Sequence, residues 1–129
     1  MIGHFEAKAI DSPQLVSEML LAHVLGCERL RLYMESDRPA SGAERATLRD
    51  LVARAARHEP VQYMLGEAWF FGRPFTVGPE VLIPRPSTET LLEHLLQWWR
   101  SRGEMESALI ADVGTGSGCI AVSIALQQP

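Results

Sequence analysis

Apolar residues recur at intervals of three and four along the first half of the chain. One stripe consists of Leu15, Val16, Met19, Leu20 and Val24. A second consists of Leu48, Leu51, Val52 and Ala55. Such spacing places the members of each stripe on one face of an α-helix. Because small amphipathic helices bury these faces against one another, the pattern predicts a helical bundle over residues 1–67.

The sequence also marks where these helices begin and end. Ser12 followed by Pro13 is a start signal, since a serine hydroxyl caps free amides and proline suits the first helical position. Gly26 can end that helix in the left-handed conformation. Ser41 and Glu44 have the spacing of a capping box, in which hydroxyl and carboxylate bond each other's backbone amides. Shorter helical turns are predicted around residues 30–34 and 61–65.

The helical spacing then gives way to aromatic and β-branched runs. The runs at 69–71 and 75–77 flank Gly72-Arg73-Pro74, which predicts a β-hairpin turning at residues 72–74. Two prolines, Pro84 and Pro86, disfavour regular structure after the hairpin. Residues 68–86 are therefore predicted to form a hairpin and a stiff linker.

A further helix is predicted to begin at Ser87 or Thr88. Its inward stripe is expected to consist of Leu91, Leu92, Leu95, Leu96 and Trp99. A polar loop is expected at 101–107. Together with the bundle, this helix makes the predicted fold mainly α.

The last part of the chain reads as a strand, a glycine-rich turn and a helix. Apolar runs at 108–111 and 119–126 flank the sequence D-V-G-T-G-S-G at 112–118. Glycines let the backbone turn tightly and approach a ligand, and the helix start presents amide N–H groups to it. The turn therefore suits a nucleotide-like ligand; a tight turn with only a structural role is the alternative. The spacing departs from both the dinucleotide G-x-G-x-x-G pattern and the NTPase phosphate loop.

Composition narrows the function classes. The 129 residues are 47% apolar and 22% charged, as in soluble globular proteins. A net charge of -4 gives no sign of a nucleic-acid binder. No apolar run approaches the roughly 18 residues that span a bilayer. Cys27 and Cys119 match no metal or redox spacing. We therefore predict a cytoplasmic protein with reduced thiols, no signal peptide, no metal site and no nucleic-acid or membrane partner.

Two motifs carry a family resemblance. The pattern D-x-G-x-G-x-G at 112–118 is similar to the first motif of class I S-adenosylmethionine-dependent methyltransferases. Residues 71–77 and 81–89 resemble the signature of the HemK-type protein-glutamine N5-methyltransferases, which methylate peptide chain release factors. Ser87 stands where that signature usually has an acidic residue. Residues 22–26 and 59–67 also resemble the helical domain of this family.

The resemblance implies three parts. Residues 1–67 would form a helical domain that docks the release factor, 68–86 a β-hairpin linker, and 87–129 an incomplete class I (Rossmann-like) methyltransferase domain with its first βα unit. The cofactor would be S-adenosylmethionine, and its methyl group would pass to the glutamine side-chain amide in the factor's Gly-Gly-Gln motif. The cofactor-binding residues it implies are Asp112, Gly114, Thr115, Gly116, Ser117, Gly118 and Glu89.

The chain departs from the family pattern in one important respect. The Asn-Pro-Pro-Tyr motif that binds the substrate amide is absent, and the sequence contains no Asn. No catalytic residue is therefore assigned, and we expect these 129 residues alone to be inactive. The alternative function is a non-catalytic helical module that binds a release factor.

Two expectations about single regions remain open at this point. Glu89 is either a pocket residue or, with Glu93 four positions later, part of a solvated helix face. A strand at 108–111 would need backbone partners on both sides. We therefore expect residues 108–129 to pair with a second copy of the chain or to pack irregularly.

Overall fold

The structure, a computed structural model, describes residues 1–34, 37–102 and 109–127. It divides into two compact units, Met1–Leu65 and Gly66–Pro129, here called the helical unit and the hairpin unit. The helical unit contains α1 (Ile2–Glu6), α2 (Pro13–Leu25), α3 (Arg31–Met34), α4 (Gly42–Ala55) and α5 (Val61–Leu65). The hairpin unit contains β1 (Glu67–Phe70), β2 (Arg73–Thr76), α6 (Pro86–Ser101) and α7 (Cys119–Gln127). The prediction of a mainly helical chain with one hairpin is confirmed.

The helix-end signals of the helical unit are confirmed with one exception. Gly26 ends α2 in the left-handed region, at φ 61° and ψ 39°. The Glu44 amide donates to Ser41 Oγ at 3.2 Å, and the Ser41 amide donates to Glu44 Oε2 at 2.7 Å, which completes the capping box. Pro13 opens α2, but the Ser12 hydroxyl makes no cap hydrogen bond. Ser12 lies at φ 51°, whereas a capping side chain needs an extended backbone.

The core of the helical unit is built by four helices. Its buried members are Phe5, Leu20, Leu51, Ala55 and Val61, from α1, α2, α4 and α5. Both predicted stripes contribute to this core, except that Leu15 is 39% exposed. The pattern analysis did not single out Phe5, although its side chain is fully buried.

The hairpin has a tighter turn than the sequence predicted. Strands β1 and β2 pair antiparallel with Phe70 opposite Arg73, so Phe71 and Gly72 alone form the turn. Arg73 and Pro74, predicted in the turn, belong to β2. Two-residue hairpin turns twist in the same sense as the strands, which makes them the preferred connection.

Helix α6 begins at Pro86, one or two residues before the predicted start at Ser87 or Thr88, because proline suits the first helical position, where its missing N–H would have no partner within the helix. Leu92 and Leu96 are buried, but Leu91 is 63% exposed, so its predicted inward orientation is wrong. Residue 91 lies about 100° around the helix from residue 92, which turns it away from the core. Of the predicted polar loop, residue 101 ends α6 and residues 103–107 lie outside the described residues.

The predicted βα unit is formed only in part. Helix α7 is present from Cys119, but residues 109–111 form no strand, and residue 108 lies outside the described residues. A strand exists only where a neighbour bonds its backbone groups, and the described sheet consists of β1 and β2 alone. Pairing of this segment with a second copy stays a prediction. Among the described helices, none is both long enough and apolar enough to cross a membrane.

Candidate functional site

The glycine-rich loop leads directly into α7 and takes an unusual backbone course. Gly114, Gly116 and Gly118 have φ angles of 80°, 56° and 78°. All three lie in the left-handed region, which glycine enters without the steric cost that a Cβ atom brings. The loop therefore requires glycine at these positions for its own conformation.

Two side chains of the loop are joined by a hydrogen bond. Thr115 Oγ1 donates to Asp112 Oδ2 at 3.0 Å. The Gly118 amide donates to the Thr115 carbonyl at 2.9 Å, which closes the turn before α7. The Asp112 carboxylate is thus oriented by Thr115, and it can accept further hydrogen bonds from a cationic group.

The start of α7 favours negative charge, whereas the Asp112 carboxylate favours positive charge. The first amides of a helix have no partner within the helix, and together with the helix dipole they favour a negatively charged group. Ser117, immediately before this end, has a buried Oγ with no hydrogen-bond partner among the described residues. The loop therefore places an acceptor, Asp112, and a set of donors close together in sequence. This pairing suits a ligand that carries both an ammonium and a carboxylate.

Glu89, which the family resemblance assigned to the cofactor pocket, is hydrogen-bonded to the hairpin turn. Its Oε1 accepts a hydrogen bond of 2.6 Å from the backbone amide of Phe71, at the hairpin turn. Within the described residues, no hydrogen bond joins Glu89 to the glycine loop. Six of the seven predicted cofactor-binding residues lie in one loop because they are neighbours in the sequence, and the seventh, Glu89, is bonded to the hairpin. Their role in cofactor binding stays a prediction.

A shared apolar core connects the hairpin, α6 and α7. Its buried members are Phe70, Leu92, Leu96, Cys119 and Ile124, and its half-buried members include Phe71, Phe75 and Ile120. The first residues of α7 therefore pack in the same cluster as the aromatic hairpin. Sequence reasoning treated the hairpin as a linker and missed this arrangement, although the run of aromatic residues at 69–71 was a signal for it.

The exposed apolar side chains of the helical unit are concentrated in one part of it. Large examples are Met1, Ile2, Leu15, Leu30, Tyr33 and Met34. All belong to α1 and its N-cap, the start of α2, or the segment around α3. None of these large exposed side chains comes from the described residues of α4 or α5. Ile2, Leu15 and Tyr33 line a groove of about 530 Å³ together with Glu6 and Glu18.

A polar network holds one wall of this groove in place. Glu18 accepts hydrogen bonds from the Tyr33 hydroxyl, from Arg29 Nη2 at 2.7 Å and from Gln14 Nε2 at 2.9 Å. These bonds, with that from Tyr33 the largest, lower the pKa of Glu18 from 4.5 to about 2. The ionised carboxylate thereby fastens Tyr33, on α3, to α2.

The fold and the loop define a class of protein in which a small helical domain precedes a hairpin and a glycine-rich loop. Residues 3–66 match the family described as the PrmC N-terminal domain. Proteins named release factor glutamine methyltransferase align with nearly the whole chain. The one from Chlorobaculum tepidum is 46% identical over 99% of this chain and 44% of its own length. Those from Geobacter sulfurreducens and Nitratidesulfovibrio vulgaris are each 43% identical, over 98% and 95% of this chain and 43% and 40% of their own lengths.

These matches confirm the family predicted from the sequence motifs. The chain belongs to the release factor glutamine methyltransferase family, and it aligns with the N-terminal part of its members. It spans less than half the length of the curated relatives that it matches.

Proposed function

We propose that the chain contributes the cofactor loop and the docking domain to S-adenosylmethionine-dependent methylation of a release factor. The methyl group passes to the glutamine side-chain amide of the factor's Gly-Gly-Gln motif. The observation that carries the proposal is the glycine loop at 112–118, with three left-handed glycines leading into α7. Family membership supports the reaction, and we propose that it takes place in the cytoplasm.

The residues of the loop fit the amino-acid part of the cofactor. Asp112, oriented by Thr115, would accept hydrogen bonds from its ammonium group. The amides at the start of α7 would donate to its carboxylate. Bound S-adenosylmethionine supplies a methyl group on a sulfonium. Since the accepting amide nitrogen is a weak nucleophile, the contribution of the protein lies in positioning and in directed hydrogen bonds.

The motif that would orient the substrate amide is not in these 129 residues, which contain no Asn. We therefore propose that the chain alone binds the cofactor weakly and does not transfer its methyl group. An assay with radiolabelled S-adenosylmethionine and a purified release factor tests the second statement. Methylated release factor in that assay would refute it.

An NMR titration tests the cofactor loop, because it detects millimolar binding. S-adenosylmethionine should shift the amide resonances of Gly114, Gly116 and Gly118. Asp112→Asn should weaken this binding by about tenfold, the scale of one charge-assisted hydrogen bond. Asp50→Asn, on the exposed face of α4, is the matched control and should leave the titration unchanged. The proposal fails if the loop amides of the unmodified chain do not respond.

The second candidate function is a release-factor-binding module without chemistry. It is favoured by the one-sided exposure of apolar side chains, with Leu30 70% and Met34 76% exposed. Patches of this kind mark protein interaction sites. Leu30→Asp and Met34→Asp should abolish binding of an immobilised release factor, while Ala53→Asp, on the exposed face of α4, should preserve it. Equal binding by all three variants would exclude this surface.

A further inference from the structure

We infer that Glu89 is a positioning residue for the glycine-loop site and acts through the hairpin turn rather than by touching the ligand. The inference rests on the proposed function, since it deepens the role of the same loop. Three connected observations carry it: the hydrogen bond to Phe71, the left-handed turn that this bond holds, and the apolar cluster to which both Phe71 and the first residues of α7 belong.

The hydrogen bond itself is short and charge-assisted. The Phe71 amide donates to Glu89 Oε1 at 2.6 Å, in a half-buried environment. Ionised acceptors shorten such bonds and roughly double their strength relative to neutral pairs. Glu89 lies in the first turn of α6, three residues before the buried Leu92 and on the same side of the helix. Its carboxylate therefore lies against the hairpin turn in a half-buried position.

The turn that Glu89 holds is strained. Phe71 has φ 51° and Gly72 has φ 74°, so both residues of the turn are left-handed. This turn type favours Asn, Asp or Gly at the first position, and a Cβ atom makes the conformation costly for phenylalanine. The carboxylate offsets that cost by bonding the amide of the strained residue. Strain that neighbours maintain in this way clusters at functional sites.

The held turn reaches the loop through side-chain packing. Phe71 packs against the cluster that contains Cys119, and Ile120 packs against the same cluster. Cys119 and Ile120 are the first two residues of α7, directly after Gly118. A change at Glu89 therefore passes to Phe71, then to the start of α7, and then to the loop glycines.

The chain offers a matched control for this effect of Glu89 on the loop. Glu93 lies one helical turn beyond Glu89 on α6, is exposed, and has no hydrogen bond or ion pair among the described residues. Glu89→Ala removes the acceptor. Glu89→Gln keeps an acceptor oxygen without the charge and serves as the conservative variant.

Amide NMR and hydrogen exchange of the 129-residue chain, without cofactor, test the inference. In Glu89→Ala, exchange at Phe71 should accelerate by about tenfold, and the Gly116 and Gly118 resonances should move while α4 resonances stay in place. Glu89→Gln should show both changes at reduced size, and Glu93→Ala should show neither. Should Glu89→Ala fail to fold, the Glu89→Gln spectra decide, since the two changes must still appear together.

Two outcomes overturn the inference. Unchanged Phe71 exchange in both Glu89 variants would mean that the hydrogen bond is not formed in solution. Faster Phe71 exchange with unmoved loop glycines would mean that Glu89 anchors the hairpin only. Because these measurements need no cofactor, they remain decisive if S-adenosylmethionine does not bind. If it binds, Glu89→Ala should weaken the titration several-fold and Glu93→Ala should not.

Discussion

The helical unit and the hairpin unit differ in how far short stretches of sequence determine their structure. Helix α2 starts at Pro13 and ends before Gly26, and α4 starts after its capping box, as the sequence signals predicted. Four helices close one core around Leu20. In the hairpin unit, the segment between α6 and α7 carries an equally clear strand signal. Its described residues form no strand, and Leu109 and Val113 are 101% and 94% exposed.

The difference follows from where each element finds its hydrogen-bond partners. A helix bonds its own backbone and needs only one face covered, so capping residues and a stripe define it locally. A parallel strand bonds its neighbouring strands and is covered on both faces. An apolar run in the sequence therefore forms such a strand only if the rest of the sheet is present. The apolar run at 108–111 thus predicts a strand only where neighbouring strands can bond its backbone groups.

The substitution with the largest expected effect tests whether the helical unit is stable independently of the hairpin unit. Leu20→Ala removes a fully buried side chain from its core and should lower the free energy of unfolding by about 3 kcal/mol. Hydrogen exchange should show this loss at α2 and α4, with protection of the β1–β2 amides retained. An equal loss of protection in both units would contradict the comparison.

The matched control for that experiment is Leu30→Ala, because Leu30 is 70% exposed. Removal of an exposed leucine should change stability by no more than about 0.5 kcal/mol. A cost at Leu30 as large as that at Leu20 would mean that the α3 segment is packed against a partner in solution.

A pair of glycine substitutions with opposite signs sharpens the comparison. Gly118→Ala puts a Cβ atom on a residue at φ 78° and should destabilise the hairpin unit by about 1–2 kcal/mol. Gly42→Ala, in the first turn of α4 with open space around it, should stabilise the helical unit by about 0.5 kcal/mol. Thermal denaturation measures both. A stabilising Gly118→Ala would show that the loop is not held in its left-handed form.

The same contrast explains what the sequence could and could not predict. The capping box of Ser41 and Glu44 and the left-handed end at Gly26 involve residues close in sequence, so pattern reasoning found them. The glycine spacing at 112–118 identified the loop for the same reason. The bond from Phe71 to Glu89 spans 18 residues and depends on how the hairpin packs on α6. No local pattern reports that packing, so the contact became visible only in the structure.

A smaller effect is expected from two buried hydroxyls. Ser123 in α7 and Ser17 in α2 are 2% and 4% exposed, and neither Oγ has a partner among the described residues. Removing a buried, unpaired hydroxyl relieves its desolvation cost, so Ser123→Ala and Ser17→Ala should each stabilise the chain by about 1 kcal/mol. Chemical denaturation measures the two values. Destabilisation by Ser123→Ala alone would indicate that its hydroxyl is bonded in solution.

The smallest expected effect is the pH dependence of the stability of the helical unit. Three partners, led by Tyr33, lower the pKa of Glu18 from 4.5 to about 2. Between these values the unfolded chain takes up a proton that the folded chain does not. The contribution of Glu18 to stability is therefore present above pH 4.5 and lost as the pH falls toward 2. In Glu18→Gln, the free energy of unfolding should therefore fall less steeply as the pH drops below 4.5. Hydrogen exchange of the α2 amides at several pH values measures this dependence.

Partner variants show which contact causes the shift. The hydrogen bond from Tyr33 is the largest contribution and that from Arg29 the second. Tyr33→Phe should therefore raise the pKa of Glu18 more than Arg29→Gln does. The NMR resonance of the Glu18 carboxyl carbon, recorded against pH, measures this pKa. The reverse order would show that the salt bridge, and not the hydroxyl, holds α3 against α2. Since Tyr33 also lines the groove with Ile2 and Leu15, that result would make the shape of the groove sensitive to ionic strength, because exposed ion pairs are screened by salt.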